Sequence, residues 1–303
     1  MSARKKILAD AILLFITMIW GSSFVLMKNT ISQLHPLAFL TLRFLLAWLI
    51  ILLIFHKNLK NLKIKEMVYG SLIGFFLFLG MALQVVGLKY TYASKSAFIT
   101  GLTVVLVPIF AAIVERRIPR ANVMVGVIFA FTGLYLLNGA KLSQFNFGDF
   151  LTLLADFGFV FQIIFIDIFT SREDVNPVNI AIFQLMSGAV LYIIFSAAFG
   201  INPLNIKLTL DSVFTILITG VLGTALAFTA QVFVQKYTTP THTALIFSAE
   251  PVFGAIFSAI IPSVATHTTE ILPLISYAGC GLILIGMIIA ELNPDKNLDT
   301  ELS

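Results

Sequence analysis

The chain has 303 residues, of which 59% are hydrophobic and only 11% charged, with a formal net charge of +4. At a mean hydropathy of +1.00 it cannot cover its own apolar surface in water, which excludes a soluble globular protein and leaves a bilayer as its solvent. A basic chain of this kind offers no soluble surface to nucleic acid, and the single cysteine, Cys280, excludes a disulfide framework or a cysteine metal cluster.

Windows of about 20 apolar residues predict ten membrane-spanning helices. The first five lie near 8–27, 36–55, 67–88, 93–114 and 121–138, and the second five near 148–169, 178–198, 211–234, 241–261 and 272–291. Short links leave no room for a soluble module, so an all-α membrane protein is expected. The first segment follows Arg4, Lys5 and Lys6 but is long enough to span and ends in no small-residue cleavage site, which predicts a retained helix. With the N-terminus in the cytoplasm, the cytoplasmic links carry Arg4, Lys5, Lys6, Lys57, Lys60, Lys63, Lys65, Arg116, Arg117, Arg120, Arg172, Lys236 and Lys296. The other side carries Lys28, Lys89, Lys141 and Lys207. That bias places both termini in the cytoplasm.

Landmarks repeat between the two groups. Lys89-Tyr90 and Ser96-Ala97 recur as Lys236-Tyr237 and Thr243-Ala244, an offset of 147 residues. Val107-Pro108-Ile109-Phe110 resembles Glu250-Pro251-Val252-Phe253 at an offset of 143, and each proline is expected inside a helix as a break. Gly126 and Gly133 match Gly279 and Gly286. Five is odd, so the second repeat enters the membrane inverted. The expected division is 1–140 and 141–292, with a cytoplasmic tail at 293–303. Two inverted halves can pack in two nearly equivalent ways around one central site, which is the geometry of alternating access.

Trp20-Gly21-Ser22-Ser23-Phe24 in the first helix, Leu42-Arg43-Phe44 in the second and Glu250-Pro251-Val252-Phe253 in the ninth resemble the drug/metabolite transporter superfamily, specifically its ten-helix EamA-type members. The stretch 95–101 with Pro108 after it is similar to the fourth helix of that family. The resemblance covers 7–291. It implies a central cavity lined mainly by the first, third, fourth, sixth, eighth and ninth helices, with the fifth and tenth at the periphery. It further implies gradient-driven export or exchange of small metabolites such as amino acids. One departure stands out: Val107 precedes Pro108 where Glu250 precedes Pro251, so the carboxyl is not duplicated.

A charge at the centre of a membrane helix costs roughly 2.5 to 3.5 kcal/mol on insertion scales, so each such residue needs a reason. Glu250 is the deepest, and reads either as a carboxyl that exchanges a proton or meets a substrate amine, or as a partner for backbone groups freed around Pro251. Asp149, Asp156 and Asp167 share one face of the sixth helix. Asp156 is the inner one and a second candidate for substrate or proton contact, whereas Asp149 and Asp167 read as solvated end residues. Arg43 reads as a snorkelling cation, a gate or half of an ion pair with an internal carboxylate, and Lys95, if inward, as an anion site.

Ser96, Thr100 and Thr103 form a polar stripe on the fourth helix, and Thr224 and Gln231 another on the eighth. Such stripes either bind helices together or line a wet path, and the amides Gln84 and Gln162 carry the same ambiguity. Trp20 and Phe24 are the aromatic candidates for the cavity wall. Gly70 and Gly74 fit close helix packing. No phosphate-cradling loop, nucleophile-base pair or metal-ligand spacing occurs in the sequence, so neither an enzyme nor a cofactor is expected.

The reading is a secondary active or facilitative permease of the plasma membrane that exports amino acids or similar metabolites. Its expected partners are a small-molecule substrate, the lipid bilayer and protons as coupling ion, and a homodimer is compatible with it. The alternatives are an importer or exchanger of anionic metabolites that uses Arg43 and Lys95, and a non-transporting membrane scaffold.

Overall fold

The computed structural model describes residues 3–116, 119–137, 145–203, 205–260 and 273–291. The expected features at Arg117, Asn138, Lys141, Lys296 and the tail 293–303 lie outside the described residues. Among those described, all regular structure is helical: α1 (Ala3–Ile31), α2 (Pro36–Phe55) with a 3₁₀ turn after it, α3 (Ile64–Tyr90), α4 (Ala93–Thr100), α5 (Thr103–Glu115), α6 (Ala121–Leu137) and α7 (Phe147–Thr170). Then come α8 (Pro177–Ala198), α9 (Leu210–Gly220), a π-helical stretch (Val221–Leu226), α10 (Ala227–Val234), α11 (Pro240–Phe247), α12 (Glu250–Ile260) and α13 (Leu274–Glu291). Seven stretches are long and apolar enough to cross a membrane: Arg4–Ile31, Pro36–Asn61, Ile64–Tyr90, Ala93–Val114, Phe147–Thr170, Pro177–Ala198 and Leu210–Tyr237. Ala121–Leu137 and Leu274–Ala290 are apolar but shorter, and the ninth expected segment is divided into α11 and α12.

Local chemistry starts these helices where they start. Asn146 and Asp149 form a capping box at α7, Asn176 caps α8 with Pro177 at its first position, and Thr209 with Ser212 caps α9. At α3 the capping residue is Lys63, and Glu66 closes the box from the helix side. Glu66 is 1% exposed and accepts from the backbone N–H of Lys63 (3.1 Å) and Asn176 (2.8 Å) and from Asn179 Nδ2 (2.6 Å), so one carboxylate joins the starts of α3 and α8.

The sequence places the helix breaks at the prolines, and the structure corrects this. The chain tightens instead at Gly101-Leu102, where Leu102 N–H bonds to Ile99 O at 2.8 Å, and at Ser248-Ala249, where Ala249 N–H bonds to Ile246 O at 3.1 Å. These three-residue bonds end one helix and re-aim the next. Pro108 lies inside a continuous α5. Pro251 is the second residue of α12, where an N–H would have no intrahelical partner anyway.

Small residues set the packing. A Cβ at Gly70 would meet Ile180 O on α8 at 2.6 Å, so α3 and α8 touch backbone to backbone along Gly70 and Gly74. A Cβ at Gly126 would lie 2.6 Å from Gly286 O and one at Gly133 2.6 Å from Gly279 O. As one number rises the other falls, so α6 and α13 run antiparallel. The same holds for α2 and α8, where Thr41 meets Ser196 and Phe44 meets Tyr192 and Gly188.

Candidate functional site: a central cavity with a buried arginine and glutamate

A cavity of about 570 Å³ lies among these helices. Its wall comes from α1 (Trp20, Ser23, Phe24, Met27), α2 (Arg43), α3 (Met81, Gln84) and the junction of α4 and α5 (Thr100, Thr103). Phe159, Gln162 and Ile163 of α7, Phe228 of α10, and Phe247 with Glu250 across the break between α11 and α12 complete it. The resemblance leads one to expect walls from the first, third, fourth, sixth, eighth and ninth segments. The second is added by Arg43, whose long side chain reaches in from a fully buried position.

The wall residues recur in register. Trp20, Ser23 and Phe24 become Phe159, Gln162 and Ile163 on adding 139. Met81, Thr100 and Thr103 become Phe228, Phe247 and Glu250 on adding 147. The ends of α4 and α11 obey the same 147, since Ala93–Thr100 maps onto Pro240–Phe247. At the wall, therefore, the counterpart of Glu250 is Thr103 rather than Val107.

The π-helical stretch is the feature sequence patterning missed. Within it the Gly223 carbonyl accepts from Trp20 Nε1 (2.9 Å) and Arg43 Nη2 (3.3 Å). Arg43 also donates through Nε to Thr224 Oγ1 (2.6 Å) and approaches Met27 Sδ at 3.1 Å. The expectation of an internal ion pair for Arg43 is thus corrected: the bonds holding it go to neutral groups that the π turn exposes. Trp20 packs against Phe228 and Phe247, each with ring centroids 5.0 Å away.

Gln84 donates to Thr100 Oγ1 at 2.9 Å. Gln162 and Gln231 exchange bonds at 3.1 and 3.3 Å, Gln231 donates on to Gln235, and Gln235 to Ile163 O. These amides do both things the sequence left open, binding helices together while Gln84 and Gln162 also face the cavity.

Several candidates stand behind the wall. Thr224 faces Arg43 and donates to Thr219 O at 2.8 Å. Ser96 is fully buried. Asp156 is 0% exposed and neither of its oxygens has a hydrogen-bond partner. Lys95 forms an ion pair with Asp149. Asp149 is therefore not the solvated end residue expected; it is 0% exposed and also accepts from Thr91 Oγ1 (2.6 Å) and Asn146 N–H (2.8 Å), because the α7 cap draws it inward. Among the described residues no group of three or more His, Cys, Asp or Glu could hold a metal ion.

The sequence profile of the EamA-like transporter family matches residues 7–139 and again 146–291. The chain belongs to the EamA-like transporter family. A relative from Archaeoglobus fulgidus, named an uncharacterized transporter, is 35% identical over 95% of this chain and 87% of its own length. The uncharacterized transporter YoaV of Bacillus subtilis is 24% identical over 80% of this chain and 84% of its own. A solved crystal structure superposes with a TM-score of 0.73 at 17% identity, covering 93% of this chain and 96% of that one, which shows the shared fold alone. As an EamA-like protein the chain is a multi-pass membrane transporter and not an enzyme.

For this EamA-like transporter, sequence reasoning named Trp20, Phe24, Arg43, Gln84, Thr100, Gln162 and Glu250, all of which face the cavity. It missed Ser23, Met27, Met81, Phe159, Ile163, Phe228 and Phe247 as wall residues. The 139 and 147 offsets could have found four of these, Phe159 from Trp20, Ile163 from Phe24, Phe247 from Thr100, and Ser23 from Gln162.

Proposed function

We propose that this transporter is a ten-span permease of the plasma membrane, built from two oppositely threaded repeats (1–140 and 141–292) with both termini in the cytoplasm. It exports small zwitterionic metabolites of the amino-acid type by alternating access, with the proton as coupling ion. The observation that carries this reading is the cavity wall itself. Residues from the two halves stand on it in constant register, and it holds one guanidinium, Arg43, and one carboxyl, Glu250, within a cage of aromatic and thioether groups. A small solute with both charges and an apolar body matches that wall. The antiparallel pairing of α6 with α13 and of α2 with α8 supports the inversion, and the excess of Lys and Arg on one set of links supports the orientation.

An anion carrier would rely on Arg43 and Lys95, but Lys95 is engaged by Asp149 behind the wall. Asp156, fully buried on α7 with no hydrogen bond to either oxygen, supports a second proton-carrying carboxyl besides Glu250. The test is counterflow in proteoliposomes with a panel of amino acids, carboxylates, nucleobases and organic cations, with and without a pH gradient. Accumulation of amino acids that responds to the gradient is expected. No accumulation of any compound by correctly inserted protein overturns transport by this cavity, and uptake confined to dicarboxylates overturns the zwitterion.

A further inference from the structure

Two pairs of ionisable side chains lie behind the cavity wall, and they are register equivalents. Lys95, in the first turn of α4, holds Asp149 in the first turn of α7. His242, in the first turn of α11, stands against Asp10 of α1, with Nε2 3.3 Å from Oδ1. Adding 147 takes Lys95 to His242, and adding 139 takes Asp10 to Asp149. These are the offsets that relate the wall residues Thr100 to Phe247 and Trp20 to Phe159.

The pairs occupy opposite ends of the molecule. Lys28, near the end of α1, donates to the carbonyls of Leu88 and Thr91, and Thr91 in turn bonds Asp149. The start of α7 therefore lies beside the end of α1, and Asp10 lies far away at the other end. Each aspartate precedes its wall aromatic, Trp20 or Phe159, by ten residues, about 15 Å along a helix. The cavity is bracketed.

We propose that Asp10–His242 and Asp149–Lys95 are the two latches that shut the cavity, the first at the cytoplasmic end and the second at the outer end. The assignment of sides rests on the orientation given under Proposed function. Each latch ties the first turn of a broken segment to the straight helix beside it, so releasing it frees the half-helix that hinges at Gly101-Leu102 or Ser248-Ala249. Asp149 has two further bonds, from Thr91 and Asn146, whereas the buried hydroxyl of Thr238, the register equivalent of Thr91 at 147 residues, has no hydrogen bond within the protein.

The test needs no substrate. In a Cys280→Ser background, Thr103→Cys places one thiol on the cavity wall, and a membrane-impermeant maleimide is applied to intact cells and to inverted vesicles. Asp149→Asn should raise the labelling rate from outside by about fivefold or more and lower it from the cytoplasmic side. Asp10→Asn should do the reverse, and His242→Lys, which makes the inner pair a copy of the outer one, should slow cytoplasmic labelling. Lys95→Met should shift labelling in the same sense as Asp149→Asn, and Lys95→Arg, which keeps a cation against Asp149, should keep the parent pattern, which a merely misfolded variant would not do. Unchanged labelling of all variants from both faces overturns the latches. Opposite sidedness for both aspartates upholds the latches and overturns the orientation. A thiol that labels only in denaturant overturns access to the cavity, and the latches with it.

Discussion

The Gly223 carbonyl is where backbone irregularity becomes a binding wall. That oxygen, in the π-helical stretch, receives both Trp20 and Arg43. Arg43→Leu removes the donors from Gly223 and Thr224 and is expected to cost about 1–3 kcal/mol, read as a lowered unfolding midpoint in detergent, together with loss of counterflow. Glu250→Gln keeps the shape and removes the acid. Transport driven by a pH gradient should fall about tenfold or more, equivalent to at least ~1.4 kcal/mol. Glu66→Ala breaks three bonds at the joint of α3 and α8 and should destabilise by about 3 kcal/mol without altering substrate preference, as a thermal melt paired with a counterflow panel would show.

At the scale of elements, the contacts that matter are backbone against backbone. Gly133→Leu would drive a side chain into Gly279 O and Ile283, and overpacking of this kind costs about 1–3 kcal/mol; a lower yield of monodisperse protein and a reduced melting point are expected. Deleting Leu222 would return the π stretch to α-helical register and withdraw Gly223 O, so the protein should fold but lose transport. The start of α2 carries a pH dependence. His35 caps it by accepting from Leu37 N–H through Nδ1 at 3.3 Å, which requires the neutral ring. Burial, and then the nearby charge of Lys89, lower its pKa from 6.5. The cap therefore contributes above pH 6.5 and is lost as pH falls through the lowered value. Exchange of the Leu37 amide should quicken there, and His35→Asn should abolish the change.

For the whole molecule the decisive property is that α6 and α13, and likewise α2 and α8, run antiparallel. Single cysteines at Lys60 and Lys207, in a Cys280→Ser background, should label from opposite faces, Lys60→Cys from the cytoplasm and Lys207→Cys from outside. Labelling of both from one face would contradict the inverted arrangement and with it the equivalence of the two latches.

The sequence by itself determined the solvent, the helical class and the approximate place of each apolar segment, because bilayer thickness and backbone hydrogen bonding leave a chain this apolar few other solutions. It also pointed to Trp20, Arg43 and Glu250, since intramembrane charge and polarity are costly enough to require a purpose. Only the tertiary structure decided which polar groups face the cavity, because helical periodicity places residues on a common face without saying what that face meets. Asp156 and Gln162 both lie on α7, yet one is buried behind the wall and the other stands on it. Where the helices break was likewise a tertiary outcome. The prolines marked a local loss of one donor, but the bends fall at Gly101-Leu102 and Ser248-Ala249, where the packing of α4 against α7 and of α12 against α1 fixes the direction of the chain.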